Sequence, residues 1–489
     1  MEKYREELMY INGKEVESKS GRWMNVENPS KVGTYSGRVP CADANDVDNA
    51  VRAAYNALPE WKKIPARQRG AILLKASDEI EKLKEEIAYT IASENGNAIR
   101  TQARGESNGA VDLFRYYAGL ATELKGTTYP GPANLFLYTY RAPVGVVVTI
   151  VPWNAPVQLT AGKLGAAIVA GNTVVMKVAS DAPLAAMRVA KTLAKLLPAG
   201  VLNVVSGLGS ECGDALAQHP LVNKISLTGS TEVGKRVLRR AADRVVNTTM
   251  ELGGKNPQIV FPDCLIDKTV KGIFAGTRMT RQGQSCTSGA NVYIHKSIFD
   301  EVVSKLATEA AKLKIGDACD ESNDMGAITN KAQYNSIIDY INKGMAEPET
   351  KLVCGGLPPK DGPLSEGYFL VPTIFTSKGN TSILSQDEVF GPVIVCIPWE
   401  TEEEVLKLAN ETKYGLAAFV WTKDTAKGMN FAHKIDTGWV LVNGAGGQTA
   451  GHPYGGVKES GLGREYCLEG LLESFTELKS VVVSTDYTE

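Results

Sequence analysis

Five short runs decide the fold: VGVVVTIV (144–151), TVVMKV (173–178), VLNVV (201–205), KISLT (224–228) and VNTTME (246–251). Each is rich in β-branched and apolar residues, and each gap between them is long enough for a helix and carries helix-forming residues. Repeated β-α-β of this kind predicts a mostly parallel, doubly wound sheet, because parallel strands need crossover helices that cover both faces. A second α/β set follows from about 258 to 441, with strands expected at 258–261, 291–295, 393–397 and 417–421. The architecture is therefore read as two doubly wound, Rossmann-like α/β lobes.

Outside these lobes the pattern changes. Tyr10-Ile11-Asn12-Gly13-Lys14 reads as a small hairpin, since Asn-Gly suits the two positive-φ positions of a type I′ turn. From Ala44 to about Leu124 apolar residues such as Val47, Val51 and Ala54, then Ile80, Leu83, Ile87 and Ile91, recur at helical spacing and predict a helical layer. TTYPGPANLFLYTYR (127–141) places a Pro-Gly-Pro turn before β-forming residues and reads as a protruding hairpin. A glycine-rich loop spans Asn443 to Gly463, and Val481-Val482-Val483 reads as a terminal strand.

The chain has 489 residues with 53 basic and 55 acidic side chains, a formal charge of −2 and 43% hydrophobic residues. That is too long for one core and implies two or three domains. The balanced charge speaks against nucleic-acid binding, which calls for a basic face. The strongly apolar stretch Val144 to Trp153 is too short to span a bilayer, which takes about 20 residues. The opening MEKYREELMY lacks the features of a secretory signal, so a cytoplasmic location is expected. Eight cysteines without a C-x-x-C pair, and only four histidines, indicate neither a disulfide framework nor a metal site.

Ligands of doubly wound sheets bind at the carboxyl ends of the strands. No G-x-G-x-x-G follows any strand of the first lobe; Thr228-Gly229-Ser230-Thr231-Glu232-Val233-Gly234 stands there instead. Gly229 permits a close turn, and the helix N-terminus offers N–H groups and a positive dipole end to a phosphate, although the segment alone reads equally as an ordinary cap. Lys177 ends a strand where it could reach a ligand's sugar, or it is a solvated surface lysine. Cys286, in RQGQSCTSG (281–289), is the one cysteine in a polar, glycine-containing loop, a setting that suits a nucleophile. Glu251 is held at a strand end before Leu252-Gly253-Gly254, where burial would raise its pKa toward the range of a general base; a structural ion pair is the plainer reading. Asn154 either aims an amide at a developing oxyanion or caps the next helix.

Together the stretches VPWNAP (151–156), GNTVVMKV (171–178), LTGSTEVG (227–234), MELGGKNP (250–257), GQSC (283–286), EVFGPV (388–393) and PYGGVKESGLGRE (453–465) closely resemble the aldehyde dehydrogenase superfamily, in its order and over nearly the whole chain. The resemblance implies an enzyme that oxidises an aldehyde to a carboxylic acid with NAD or NADP, through a cysteine thiohemiacetal and thioester. It implies Cys286 as the nucleophile, the Asn154 amide and the Cys286 N–H as the oxyanion hole, Glu251 as the base that activates water, and Lys163 and Glu465 as relays for its proton. Cofactor contacts are implied at Ile150, Pro152, Trp153, Lys177, Ser180, Gly209, Gly229, Ser230, Leu252, Glu388 and Phe390, and pocket positions at Ala155, Leu159, Gly162, Thr280, Ser285, Thr287 and Tyr454. It further implies a cofactor-binding domain at 1–125 and 143–253, a catalytic domain at 254–460, and an oligomerisation element at 126–142 and 474–489 whose tail strand joins a partner's sheet in a homodimer or homotetramer.

Two departures from the family pattern carry expectations of their own. Many NAD-preferring members have a glutamate where this chain has Ser180, followed by Asp181; a hydroxyl can donate to a 2′-phosphate, so NADP is expected to be accepted alongside NAD, unless Asp181 swings in to replace the glutamate. Many members acting on simple aldehydes have aromatic residues at the positions of Ala155, Gly162 and Thr280, so a wider, less aromatic pocket for a bulky or aromatic aldehyde is expected. The rival is a semialdehyde whose anion is clamped by Arg278 or Arg281. A CoA-acylating enzyme fits less well, because such members typically lack the base that Glu251 matches. A non-catalytic protein on the same fold would more simply lack one of Cys286, Glu251 and Asn154.

Overall fold

The computed structural model describes residues 4–486. Residues 1–3 and 487–489, the outer ends of the first and last segments expected above, lie outside the described residues.

An eight-stranded sheet carries the first lobe. In chain order its strands are β1 (Met9–Ile11), β2 (Lys14–Val16), β3 (Val146–Ile150), β4 (Thr173–Lys177), β5 (Leu202–Val205), β6 (Lys224–Thr228) and β7 (Asn247–Glu251), joined by a short late strand, Gly461–Leu462. The spatial order is Gly461–Leu462, β7, β6, β3, β4, β5, β1, β2. Strands β3 to β7 are mutually parallel. The chain winds outward from β3 through β4 to β5, then returns to the other side of β3 for β6 and β7. The topological switch point therefore lies between β3 and β6, and the crevice at their carboxyl ends is where a ligand belongs.

The expected N-terminal hairpin forms β1 and β2, with Ile11 opposite Lys14 and positive φ at Asn12 and Gly13. It extends the sheet by pairing β1 with β5. The helical layer consists of α1 (Ala44–Trp61), α2 (Ala66–Lys82), α3 (Lys84–Asn95) and α4 (Arg104–Gly119). The apolar faces of α2, α3 and α4 join one core with α5 (Pro156–Ala170), a helix buried along almost its whole length between them and the sheet, whereas α1 packs Val47, Val51 and Ala54 on the sheet's opposite face, so the expected single layer is divided.

The second lobe holds a seven-stranded sheet: β8 (Pro257–Val260), β9 (Asn291–His295), β10 (Thr350–Cys354), β11 (Thr373–Ser377), β12 (Val393–Trp399), β13 (Ala417–Trp421) and β14 (Trp439–Val442), in the spatial order β10, β11, β12, β9, β8, β13, β14. Only β10 runs antiparallel. Strands β10, β11 and β14 go beyond those read from the sequence. After β14 the chain returns to the first sheet: Gly461–Leu462 pairs with β7, and the helix Leu468–Phe475 packs on α5. The segment 461–475, outside the boundaries expected for either lobe, thus belongs physically to the first.

The protruding hairpin is present, and the tail strand adds to it. Thr476–Ser484 pairs antiparallel along its full length with Leu135–Pro143 of the same chain. One edge of the strand is thereby paired within the subunit, and its outer edge, on a strand with exposed Leu478 and Val482, is free. Among the described residues no helix is long and apolar enough to cross a membrane.

Candidate active site

The carboxyl end of β3 runs into Val151-Pro152-Trp153-Asn154, and α5 begins at Pro156, where a proline costs no hydrogen bond. The turn is held from α3 and the loop after it: Asn95 donates its side-chain amide to Trp153 O at 3.2 Å and Asn97 donates to Asn154 O at 3.1 Å. The N-terminus of α5 is capped across the core, where the buried Glu106 carboxylate accepts from Val157 N at 2.8 Å. Asn154 is itself buried and donates one amide N–H to Gln284 O at 3.1 Å, which aims its side chain at the loop bearing Cys286.

That loop is shaped by left-handed backbone. Arg278 (φ 56°) and Gln282 (φ 52°) flank the one-turn 3₁₀ helix Met279–Arg281, conformations that non-glycine residues seldom adopt. Asn256, beside the start of β8, donates to both Cys286 O (2.8 Å) and Ser288 O (2.9 Å) and so pins the turn on either side of the sulfur. Tyr454 places its hydroxyl 3.5 Å from Cys286 Sγ. Burial pushes the Cys286 thiol up to about 11, opposed by the Tyr454 hydrogen bond and the Arg278 charge.

Glu251 ends β7 and is almost wholly buried, and neither carboxyl oxygen has a well-formed hydrogen bond. Burial and the Glu465 charge raise its pKa well above the usual carboxylate range, with Lys163 and Arg464 pulling the other way. A side chain at Gly455 would come within 2.7 Å of Glu251 Oε1, which explains a glycine in that part of the loop. Lys163, the one charged residue of α5, donates to Glu465 Oε1 at 2.6 Å and to Ser226 Oγ at 3.0 Å, inside the protein.

Two cavities meet at the sulfur. One, of about 230 Å³, is lined by Asn154, Ala155, Leu159, Glu251, Ser285, Cys286, Thr287 and Tyr454 and also by Gln102, Gln158, Thr228, Arg278, Arg281, Gln448 and Tyr466. The other, of about 520 Å³, lies at the switch point between Pro152, Trp153, Gly229, Ser230, Leu252, Glu388 and Phe390. Asn154, Thr228 and Cys286 belong to both walls, so a group in either cavity reaches the same atom.

The larger cleft fits a dinucleotide. Trp153 and Phe390 stand edge to face with centroids 5.4 Å apart at its end nearest Cys286. Glu388 accepts from Gly254 N at 2.9 Å, which fixes a carboxylate able to hold ribose hydroxyls. Ser230 caps the helix Thr231–Ala242 by accepting from Val233 N, placing that helix's positive end at the cleft. Ile150, Lys177, Ser180 and Gly209 do not line the enclosed cleft. Lys177 is buried rather than solvated and donates to Val178 O, and Ser180 donates to Gly207 O at 3.1 Å.

Two expected pocket residues are not in the pocket. The 3₁₀ turn points Thr280 away from the cavity, where it accepts from Gln102 Nε2 at 2.7 Å, and sends Arg281 inward instead. Gly162 does not open space: a Cβ there would meet the Tyr466 ring at 2.8 Å, so an aromatic from the far end of the chain already fills that room. Tyr454 and Tyr466 both line the wall, so it keeps aromatic side chains. Its distinguishing feature is charge. Arg278 donates to Ala445 O (2.7 Å) and Gly446 O (2.8 Å), bracing the glycine-rich loop, while Arg281 donates Nε to Gln102 and holds an Nη 3.6 Å from the buried Glu106.

Comparison with known proteins agrees with this geometry. Residues 16–481 match the model of the aldehyde dehydrogenase family. Aldehyde dehydrogenase family 2 member B4, mitochondrial, of Arabidopsis thaliana is 39% identical over 97% of this chain and 88% of its own. Among solved structures, the NAD+ complex of an aldehyde dehydrogenase from Bacillus cereus superposes with a TM-score of 0.94 at 35% identity, covering 98% of this chain and 97% of the other. Betaine aldehyde dehydrogenase from Staphylococcus aureus, also solved with NAD+, gives 0.96 at 32% identity, covering 99% and 96%. The chain belongs to the aldehyde dehydrogenase family. It is an NAD(P)-dependent, aldehyde-oxidising enzyme.

Proposed function

We propose that the enzyme oxidises an aldehyde carrying an anionic group, with Cys286 as nucleophile and Glu251 as the base of the hydrolytic half. The observation that carries this reading is the pair of guanidinium groups, Arg278 and Arg281, lining the 230 Å³ cavity that ends at Cys286. Two guanidinium groups on a wall whose one carboxyl group, Glu251, has its pKa raised by burial favour a carboxylate-bearing substrate over a bulky neutral aromatic one. Arg278 is braced by two backbone carbonyls and Arg281 by Gln102 and Glu106; of the two, Arg281, whose ion pair is long at 3.6 Å, is taken as the anchor.

Cys286 reacts as its thiolate, the thiol proton having passed to solvent; Sγ adds to the carbonyl carbon, and the oxygen gathers charge beside the second amide N–H of Asn154 and the backbone N–H of Cys286. A donor in this role is worth about 3 kcal/mol of barrier. Bound NAD(P) supplies the hydride acceptor, held by Ser230, Glu388, Trp153 and Phe390. The thioester left on Cys286 is then attacked by a water whose proton passes to Glu251, and the Lys163–Glu465 pair behind it takes that proton onward.

Arg281→Gln tests the substrate class. kcat/KM for short ω-oxo acids is expected to fall roughly 10- to 100-fold, the worth of a charge-assisted hydrogen bond, while neutral aldehydes of the same length change little. An equal loss on both would remove the anion from the proposal and return the bulky neutral aldehyde.

Cofactor choice follows from Ser180. Its hydroxyl is neutral and donates to Gly207 O, so nothing negative at that residue opposes a 2′-phosphate. NADP is expected to support turnover, and Ser180→Glu to lower kcat/KM for NADP by roughly tenfold or more relative to NAD, through like-charge repulsion. A wild-type preference for NAD above roughly a thousandfold, about 4 kcal/mol, would contradict this.

A further inference from the structure

Strands β6 and β7 break the rule for the centre of a parallel sheet, where both faces are buried and strands are apolar throughout. Their register pairs Lys224 with Asn247, Ser226 with Thr249, and Thr228 with Glu251. Paired residues of parallel strands share a face, so these six polar side chains form one file along both strands. The opposite face holds Ile225, Leu227 and Met250 and is packed in an apolar cluster.

The file runs from the active site to solvent. At its inner end are Glu251 and Thr228, both on the substrate cavity. In the middle Ser226 Oγ lies 3.0 Å from Lys163 Nζ and 3.3 Å from Glu465 Oε1. Thr149 on β3, the register partner of Ser226 on its other side, has a buried hydroxyl with no protein partner. At the outer end Lys224 Nζ, inside the protein, lies 2.5 Å from Thr249 Oγ1 and 2.7 Å from Asn247 Oδ1, and Asn247 is exposed at the start of β7. Ser226 and Thr249 are register neighbours on strands about 4.8 Å apart, a step within the reach of a single bridging water. The charged groups that Lys224 feels are Glu465 and Lys163, and the ring of Phe475 stands 5.9 Å from its Nζ. Burial lowers its pKa to about 7, so both protonation states are available at neutral pH.

We propose that this file is the proton exit of the hydrolytic half-reaction, with Lys224 as the exchange station between the buried Lys163–Glu465 pair and solvent at Asn247. The proposal rests on the reading of Glu251 as the base. Hydrolysis of the thioester forms a C–O bond from water and breaks the C–S bond. One proton of the water ends on Cys286 Sγ, and the other, caught first by Glu251, has to leave a buried site as the product departs as its carboxylate. Lys224 touches neither substrate nor cofactor; it acts through the groups between it and Glu251.

The test separates acylation from deacylation. p-Nitrophenyl acetate acylates Cys286, nitrophenolate release reports that step, and intact mass follows loss of the acetyl group. In Lys224→Met and in the isosteric Thr249→Val, acylation is expected to keep its wild-type rate while deacylation slows roughly tenfold, with a larger solvent deuterium isotope effect. Thr249→Val keeps the shape of the sheet and carries the test should Lys224→Met lower the Tm. Wild-type deacylation in both folded variants, beside a slowed Glu251→Gln, would overturn the exit and spare the base. Wild-type deacylation in Glu251→Gln as well would overturn the base, and absence of a Cys286-dependent acyl-enzyme in the wild type would overturn the nucleophile on which both rest.

Discussion

Cys286→Ala is expected to abolish aldehyde-dependent reduction of NAD(P), with kcat falling by at least roughly four orders of magnitude, because no other thiol lines the cavity wall. Cofactor binding should survive, since the cleft is built mainly by Trp153, Ser230, Glu388 and Phe390 and not by the sulfur. The same sulfur sets a pH dependence. Burial holds the thiol at about 11 with Tyr454 and Arg278 opposing it, and only the thiolate reacts. In the cofactor-free enzyme, alkylation of Cys286 by iodoacetamide should therefore accelerate about tenfold per unit between about pH 7 and 9, where the thiolate is the minor form. A flat profile over that range would contradict a buried, mostly protonated thiol.

Glu251→Gln is the second large effect and falls on a different step. The amide keeps the volume of the carboxyl group but cannot accept the proton of water, so deacylation should slow by roughly 10²- to 10⁴-fold. Addition and hydride loss do not use Glu251. A first turnover of NAD(P)H at close to the wild-type rate, followed by a nearly stalled steady state, is therefore expected in stopped-flow absorbance at 340 nm. Loss of the first turnover together with the steady state would mean that Glu251 works in acylation, as the base for Cys286.

Much of this site is legible in local sequence, and the missing parts have physical reasons. The parallel strands stand out as β-branched runs, and their carboxyl ends place Asn154, Gly229 and Glu251 at one crevice by topology alone. Cys286 is singled out by its polar loop. Strand β10 escapes notice because it is a half-exposed edge strand, TKLVC, and Gly461–Leu462 because two residues in a glycine-rich loop carry no periodicity. Lys177 reads as a surface residue on its own, since nothing nearby announces that burial will cover it.

The pocket is less legible for a different reason: its shape depends on long-range contacts and on backbone that local pattern does not reveal. Tyr466 adopts φ 62° and puts its ring against Gly162, three hundred positions earlier in the chain, so an apparent opening is filled. Left-handed Arg278 and Gln282 decide that Arg281, and not Thr280, faces the cavity. The tail reads as a strand from its valines, and nothing in them shows that the chain's own hairpin takes one of its edges. In each case the residue type was visible and its direction was not.

The most direct test of the central claim is to mix Glu251→Gln with NAD and an ω-oxo acid such as succinate semialdehyde, quench with acid, and map the protein by peptide mass spectrometry. The account predicts one added acyl group, with the mass of the substrate less one hydrogen in place of the thiol hydrogen, on the peptide containing Cys286. NAD(P)H formed with no adduct on Cys286, or an adduct on another cysteine, would contradict it.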